Sequence, residues 1–249
     1  MKGKSTLGLI IKFIVVLVLI WNIPTKIESK ETTTTAKLIK ANTTATPVEE
    51  KINKVTPVAS KNKKIHIYST HQIEGYNGTN VVEASHALKD RLIKLGYTCD
   101  VEEEDFESYK KKNGISYAYS YLASKNFLEQ CIAKNGDYDL IIDFHRDSIP
   151  KSSSTLTRNK TSYAKLLFVV GKSSGKYQKV LSMSNRLHEL ANAKVKGISK
   201  GIMKKQSHYN QGVSENMVLI EVGGKDNSKE EVMNTVDVLA TVIDEYLGD

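Results

Sequence analysis

Residues 138–148, YDLIIDFHRDS, decide how the rest of the chain is read. Leu140, Ile141 and Ile142 form an apolar run of the kind found in strands buried on both faces of a parallel or mixed sheet. The run stops abruptly in Asp143, His145, Arg146 and Asp147, with only Phe144 between them. Open α/β sheets hold their ligands at the carboxyl ends of such strands. A charged strand end also marks an ordinary solvated loop, so this cluster gains meaning only from partners elsewhere in the chain.

Working outward, residues 65–69 alternate as a short strand that ends in Thr70 and His71. A polar loop, QIEGYNGT, leads to a helix capped by Asn80, with Val82, His86, Leu88, Leu92 and Leu95 on its apolar side and Gly96 at its end. A second strand spans residues 97–101. After an acidic loop, residues 116–133 read as a helix with Tyr117, Tyr121, Leu122, Phe127, Leu128 and Ile132 on its apolar face. The YDLIIDFHRDS strand follows, then a polar loop over 150–162 and a fourth strand over 163–171. A helix over 177–193 and a Lys-rich connection through Lys205 lead to a fifth strand, 217–222, which ends in Glu221, Val222, Gly223 and Gly224. The last helix covers 229–247. Strands alternating with helices predict one three-layer α/β domain over 65–249, with a mixed, mostly parallel sheet flanked by helices.

The first 64 residues read differently. Lys2 and Lys4 precede an apolar stretch over 7–23, interrupted only by Lys12 and Asn22, which predicts a transmembrane signal-anchor in residues 1–23. No small-x-small cleavage site follows, which favours an uncleaved, single-pass anchor in the cell membrane with the remainder on the extracytoplasmic side. Residues 24–64 are rich in Thr, Lys, Ala and Val without a sustained apolar period, and read as a disordered tether. Residues 1–64 hold 12 Lys and 4 Glu, a net of 12 − 4 = +8, which leaves 24 basic and 24 acidic residues in the neutral remainder. The basic balance of the whole chain therefore belongs to the tether and excludes a nucleic-acid reading of the domain. The tether suits an anionic surface or serves as a soluble spacer. Cys99 and Cys131 are the only cysteines. They read as small packing residues, one on a strand and one on a helix, with a single bridge the alternative.

Three predicted strand ends carry His71, His145 and Glu221. In a sheet with parallel neighbours these ends meet at one edge. Two imidazoles and carboxylates are the donor set of an open zinc site, in which three protein groups hold the metal and a further carboxylate handles the proton of an attacking water. The third ligand is Glu74, three residues after His71, or Glu83 at the start of the first helix, where an acidic residue also suits the helix dipole. His66, His86 and His188 read as structural or surface residues.

STHQIEGY at 69–76, DFHRDS at 143–148, YNQ at 209–211 and LIEVGG at 219–224 together resemble the stage II sporulation protein P family. The resemblance implies a membrane-anchored, zinc-dependent N-acetylmuramoyl-L-alanine amidase with a zinc-amidase fold, acting on the glycan strands and stem peptides of peptidoglycan in sporulation. It implies that His71, Glu74 and His145 hold zinc, that Glu221 is the catalytic acid/base, and that a stage II sporulation protein D-like partner is engaged. Arg146 then binds a stem-peptide carboxylate or steadies the oxyanion, its planar fork suiting carboxylate geometry. Asp143 or Asp147 orients a zinc histidine, and Arg158, His208, Asn210 and Gln211 line the cleft. The competing expectations are an inactive wall-binding scaffold and a zinc peptidase that cuts within the stem peptide.

Overall fold

The computed structural model describes residues 59–248. The expected anchor and nearly all of the expected tether lie outside the described residues. Among the described residues, no helix is long and apolar enough to cross a membrane.

The YDLIIDFHRDS stretch forms β3 (Leu140–Asp147), buried from Leu140 through His145. Full burial of Ile141 and Ile142 contributes about 1.5–3 kcal/mol for each side chain. Strand β3 sits inside a six-stranded sheet, between β1 (Lys64–Tyr68) and β8 (Met217–Gly224). The sheet order is β2-β1-β3-β8-β6-β7, with β2 Thr98–Val101, β6 Leu166–Gly171 and β7 Ser199–Lys205. The strands β2, β1, β3 and β8 run parallel, whereas β6 is antiparallel to β8 and parallel to β7. The sheet is thus mixed and mostly parallel, as its sequence predicts.

Strand pleating sends alternate residues to opposite faces. Ile65, Ile67, Ile142, Phe144, Val218 and Ile220 enter the larger core. The helices α1 (Val81–Lys94), α5 (Tyr177–Lys194) and α6 (Lys229–Gly248) supply the rest of it. On the other face, Tyr68, Ile141 and Met217 pack with Phe106 of α2 (Phe106–Asn113) and with Ala123 and Leu128 of α3 (Ser120–Asn135). This second layer is small. It leaves the carboxyl ends of β1, β3 and β8 reachable from the α3 side.

Several expectations need correction. The polar stretch after β3 is not one loop: it holds a single helical turn, α4 (Lys151–Ser154), and a hairpin of β4 (Thr155–Arg158) with β5 (Thr161–Ala164). Its Ser and Thr residues hide the strand pattern because the hairpin is half-buried along most of its length and exposed at its tip. The Lys-rich connection is β7, an edge strand in which exposed lysines are the usual guard against further pairing. Helix α2, with Asp105 capping Ser108 N at 2.9 Å, carries too few apolar residues to show a period. On α1, the buried face is Val81, Ala84, Ser85, Leu88 and Leu92. His86 does not face the interior and stands 3.9 Å from Glu103 at the surface. His188 is half-buried, with Nδ1 2.8 Å from Ser199 Oγ. Before α3, Tyr117–Tyr119 form a 3-10 turn. Tyr117 and Leu122 are exposed and do not belong to the core.

Candidate active site

The loop after β1 turns tightly, with Glu74 N donating to His71 O at 2.9 Å, and this brings both side chains toward the end of β3. Glu74 Oε2 accepts from the backbone N–H of Arg146 at 3.0 Å and lies 3.5 Å from His145 Nδ1. The ring of His71 stands edge-on to that of His145, with centroids 5.3 Å apart. On β8, Glu221 is the register partner of His145. His71, Glu74, His145, Arg146 and Glu221 line one cavity of about 370 Å³.

The competitor Glu83 is elsewhere. Its carboxylate accepts from Thr79 Oγ1 at 2.8 Å and Asn80 Nδ2 at 3.2 Å, while its N–H donates to Asn80 Oδ1 at 2.8 Å. Reciprocal capping of α1 holds it at the surface.

Asp143 and Asp147 have different surroundings. Thr70 donates its backbone N–H and hydroxyl to Asp143 at 3.0 and 2.9 Å, and Asp143 Oδ1 lies 2.8 Å from His145 Nε2. The buried Asp143 thus fixes the His145 ring. Asp147 lies past a register irregularity in β3 and faces Lys200 Nζ at 3.5 Å. Arg146 donates from Nε to Gly75 O at 2.8 Å, which aims its guanidinium along the cavity wall.

Electrostatics separate the two carboxylates at the histidines. Burial works against the charge of Glu74, yet His145 and the Arg146 N–H hold it below the ordinary carboxylate value. Burial lifts Glu221 to about 7; His145 pulls against this, and Glu74, Asp147 and Asp143 add to it. Burial opposes the charge of His145, but Asp143, Glu74 and Glu221 hold its imidazole well above the usual histidine range. Burial and the neighbouring His145 push His71 downward. Two carboxylates with proton affinities driven apart are what acid/base chemistry near neutral pH requires.

Aromatic walls complete the cavity, and the sequence reading does not find them. Tyr117 stacks on His71 with centroids 4.5 Å apart, and Tyr121 lies nearly parallel to His145 at 6.3 Å. Tyr209 meets Tyr121 edge-on at 5.5 Å. The tyrosine of the YNQ motif therefore lines the cavity, whereas Asn210 is buried against Ser124 (3.0 Å) and Gln211 clamps Gly171 N and Val169 O at 2.8 Å. Arg158 donates to Lys196 O at 3.2 Å, and His208 belongs to a separate depression beside Lys125 and Glu129. These four expected cleft residues are not cavity residues. The G-x-S-x-G spacing of GKSSG at 171–175 falls in the turn after β6, where Ser173 Oγ accepts from Gln206 Nε2 at 2.8 Å. Among the described residues no histidine hydrogen-bonds that serine.

Among the described residues, no three His, Cys, Asp or Glu side chains close into a finished metal cage. The donor chemistry nonetheless fits a divalent metal. His145 Nδ1 stands 3.5 Å from Glu74 while Asp143 holds its other ring nitrogen, and His71 Nδ1 and Glu221 Oε2 are buried polar atoms without a hydrogen-bond partner. Such atoms are costly to bury unless something satisfies them.

The elements define an α/β domain with a mixed, mostly parallel sheet flanked by helices. It is similar to the CwlD amidase from Clostridioides difficile, a structure in complex with the GerS lipoprotein, with a TM-score of 0.52 and 19% identity over 75% of this chain and 99% of that one. The family model of Stage II sporulation protein P (SpoIIP) matches residues 22–244, and the chain belongs to that family. Stage II sporulation protein P of Bacillus subtilis (strain 168) is 32% identical over 207 residues, covering 75% of this chain. The chain spans 52% of the length of that relative.

Proposed function

We propose that this protein is a peptidoglycan hydrolase of sporulation that cuts the amide bond between N-acetylmuramic acid and L-alanine of the stem peptide. His71, Glu74 and His145 would hold zinc. Bound there, zinc supplies a Lewis acid that polarises the amide carbonyl and acidifies a water near neutral pH. Glu221, with a proton affinity near neutrality, takes the proton of the attacking water and delivers it to the leaving nitrogen, because an amide does not depart as an anion. Asp143 keeps the His145 ring oriented. Arg146, fixed through Gly75, offers its guanidinium to a substrate carboxylate or to developing negative charge.

The single observation that carries this reading is the pairing of Glu221 with His145 across adjacent strands, in one cavity with His71 and Glu74. Family membership and the amidase-like fold support it. The same proposal includes an N-terminal anchor that holds the domain on the extracytoplasmic side of the cell membrane, and a protein partner there. Mass analysis of fragments released from purified peptidoglycan tests the bond choice. Free stem peptides and peptide-free glycan are expected; fragments cut within the stem would replace the amidase reading with a peptidase, and no release would leave a scaffold.

A further inference from the structure

A second cluster of reactive side chains lies away from the cavity, on the β2 side of the sheet. His66 on β1 is buried, and its Nδ1 pairs with Asp100 Oδ1 of β2. Cys131 Sγ, on the last turn of α3, lies 3.8 Å from the same Nδ1 and 3.2 Å from the hydroxyl of Tyr138. That hydroxyl donates to Asp100 Oδ2 at 3.0 Å, and Asn135 Nδ2 donates to Cys131 Sγ at 3.5 Å. The expectation that Cys131 is a small packing residue is therefore incomplete. Cys131 is a free, partly exposed thiol beside an imidazole that is itself held by a carboxylate.

The cluster opens on a cavity of about 380 Å³, lined also by Glu102, Glu103 and Glu104, with Lys134 as the basic residue of the wall. His66 Nε2 is buried without a partner. Asp100 and Cys131 share one imidazole nitrogen, so the arrangement holds a charge beside sulfur and does not relay a proton from one ring nitrogen to the other. It suits a thiol that is modified, and not one that turns over substrate.

We propose that Cys131 is a reactive thiol that exchanges with small cationic disulfides at this acidic cavity. The thiol proton passes to water, the His66 imidazolium stabilises the thiolate left behind, and the Sγ thiolate attacks one sulfur of the disulfide. A new Sγ–S bond forms, the original S–S bond breaks, and its electron pair leaves on the departing thiolate, which is protonated by water. No outside oxidant is needed beyond the disulfide itself. The acidic wall selects a cationic reagent over an anionic one. The hydrogen bond from His66 draws the Cys131 thiol downward, whereas burial pushes Cys99 up to about 12, which makes the second cysteine an inert reference.

The full chain carrying Cys99→Ser is treated with cystamine or with oxidised glutathione, and the adduct is timed by intact-protein mass spectrometry. Cys131 is expected to react with cystamine about tenfold faster in the native protein than in urea, and about tenfold faster than with oxidised glutathione. His66→Gln removes the first advantage. The triple change Glu102→Gln, Glu103→Gln, Glu104→Gln, made at the protein surface, removes the second without touching the buried cluster. A native rate no higher than the unfolded rate overturns the proposal, as does a cystamine preference that the triple change leaves intact.

Discussion

His145 on β3 and Glu221 on β8 are register partners in adjacent parallel strands, so their side chains leave the sheet on one face, side by side. One has its imidazole fixed by Asp143, and the other carries a buried oxygen without a partner. In the proposed mechanism these two positions separate metal binding from proton transfer.

That separation is measurable. Glu221→Gln is expected to lower peptidoglycan hydrolysis by about a hundredfold or more while the purified protein keeps its metal. His145→Ala is expected to lose both. Elemental analysis beside a turnover assay distinguishes them, and metal loss in Glu221→Gln would move that residue from acid/base to ligand.

The proton affinity of Glu221 also predicts a stability effect. Its folded value of about 7 lies above the ordinary 4.5. Between these values the folded state keeps a proton that the unfolded chain has released, so stability falls as pH rises through this window. In chelator-treated protein, Glu221→Gln should therefore stabilise by about 1–3 kcal/mol near pH 8 and by little near pH 4. Urea unfolding at the two pH values checks this.

His66 follows the same sign over a higher pH window, with the charged form now the one that the fold favours. Burial opposes its charge, but Asp100 and Cys131 raise it from 6.5 to about 9. A raised folded value contributes stability that is full below about 6.5 and is lost as pH rises through about 9. Asp100 is half exposed, so solvent screening reduces the effect, and Asp100→Asn should cost about 1–2 kcal/mol near pH 6 and less near pH 10. An equal cost at both pH values would remove the charged pair from the account.

Gly223, directly after the Glu221–Val222 pair, adopts φ +70, and an added Cβ there would stand 2.6 Å from Asn227 Oδ1 and 2.7 Å from Ala164 Cβ. Gly114 has φ +65, with nothing within 4 Å of such a Cβ. Gly114→Ala is expected to cost about 1 kcal/mol from backbone strain alone, and Gly223→Ala about 2–4 kcal/mol because a clash is added. Thermal unfolding of the two variants compares them directly.

The apolar runs of β1, β3 and β8, the capped helix after Asn80 and the long final helix were legible as sequence because burial on one or both faces imposes a period. Their polar ends already held His71, His145 and Glu221, and the motifs around them carried the family. The hairpin Thr155–Ala164, the edge strand β7 and helix α2 were not legible, since polar or lysine-rich elements owe their form to pairing and capping and show little apolar period. Tertiary structure alone placed β1, β3 and β8 side by side, because strand order depends on crossovers that no local pattern encodes. It also drew Glu83 into the cap of α1 while leaving Glu74 against His145, stood Tyr117 and Tyr121 over the two histidines, and gathered His66, Asp100 and Cys131 from three separate elements. The sequence by itself determined which chemical groups stand at the strand ends, through the period that burial demands; which of them meet was decided by long-range packing, where residues far apart in the chain compete for the same few ångströms.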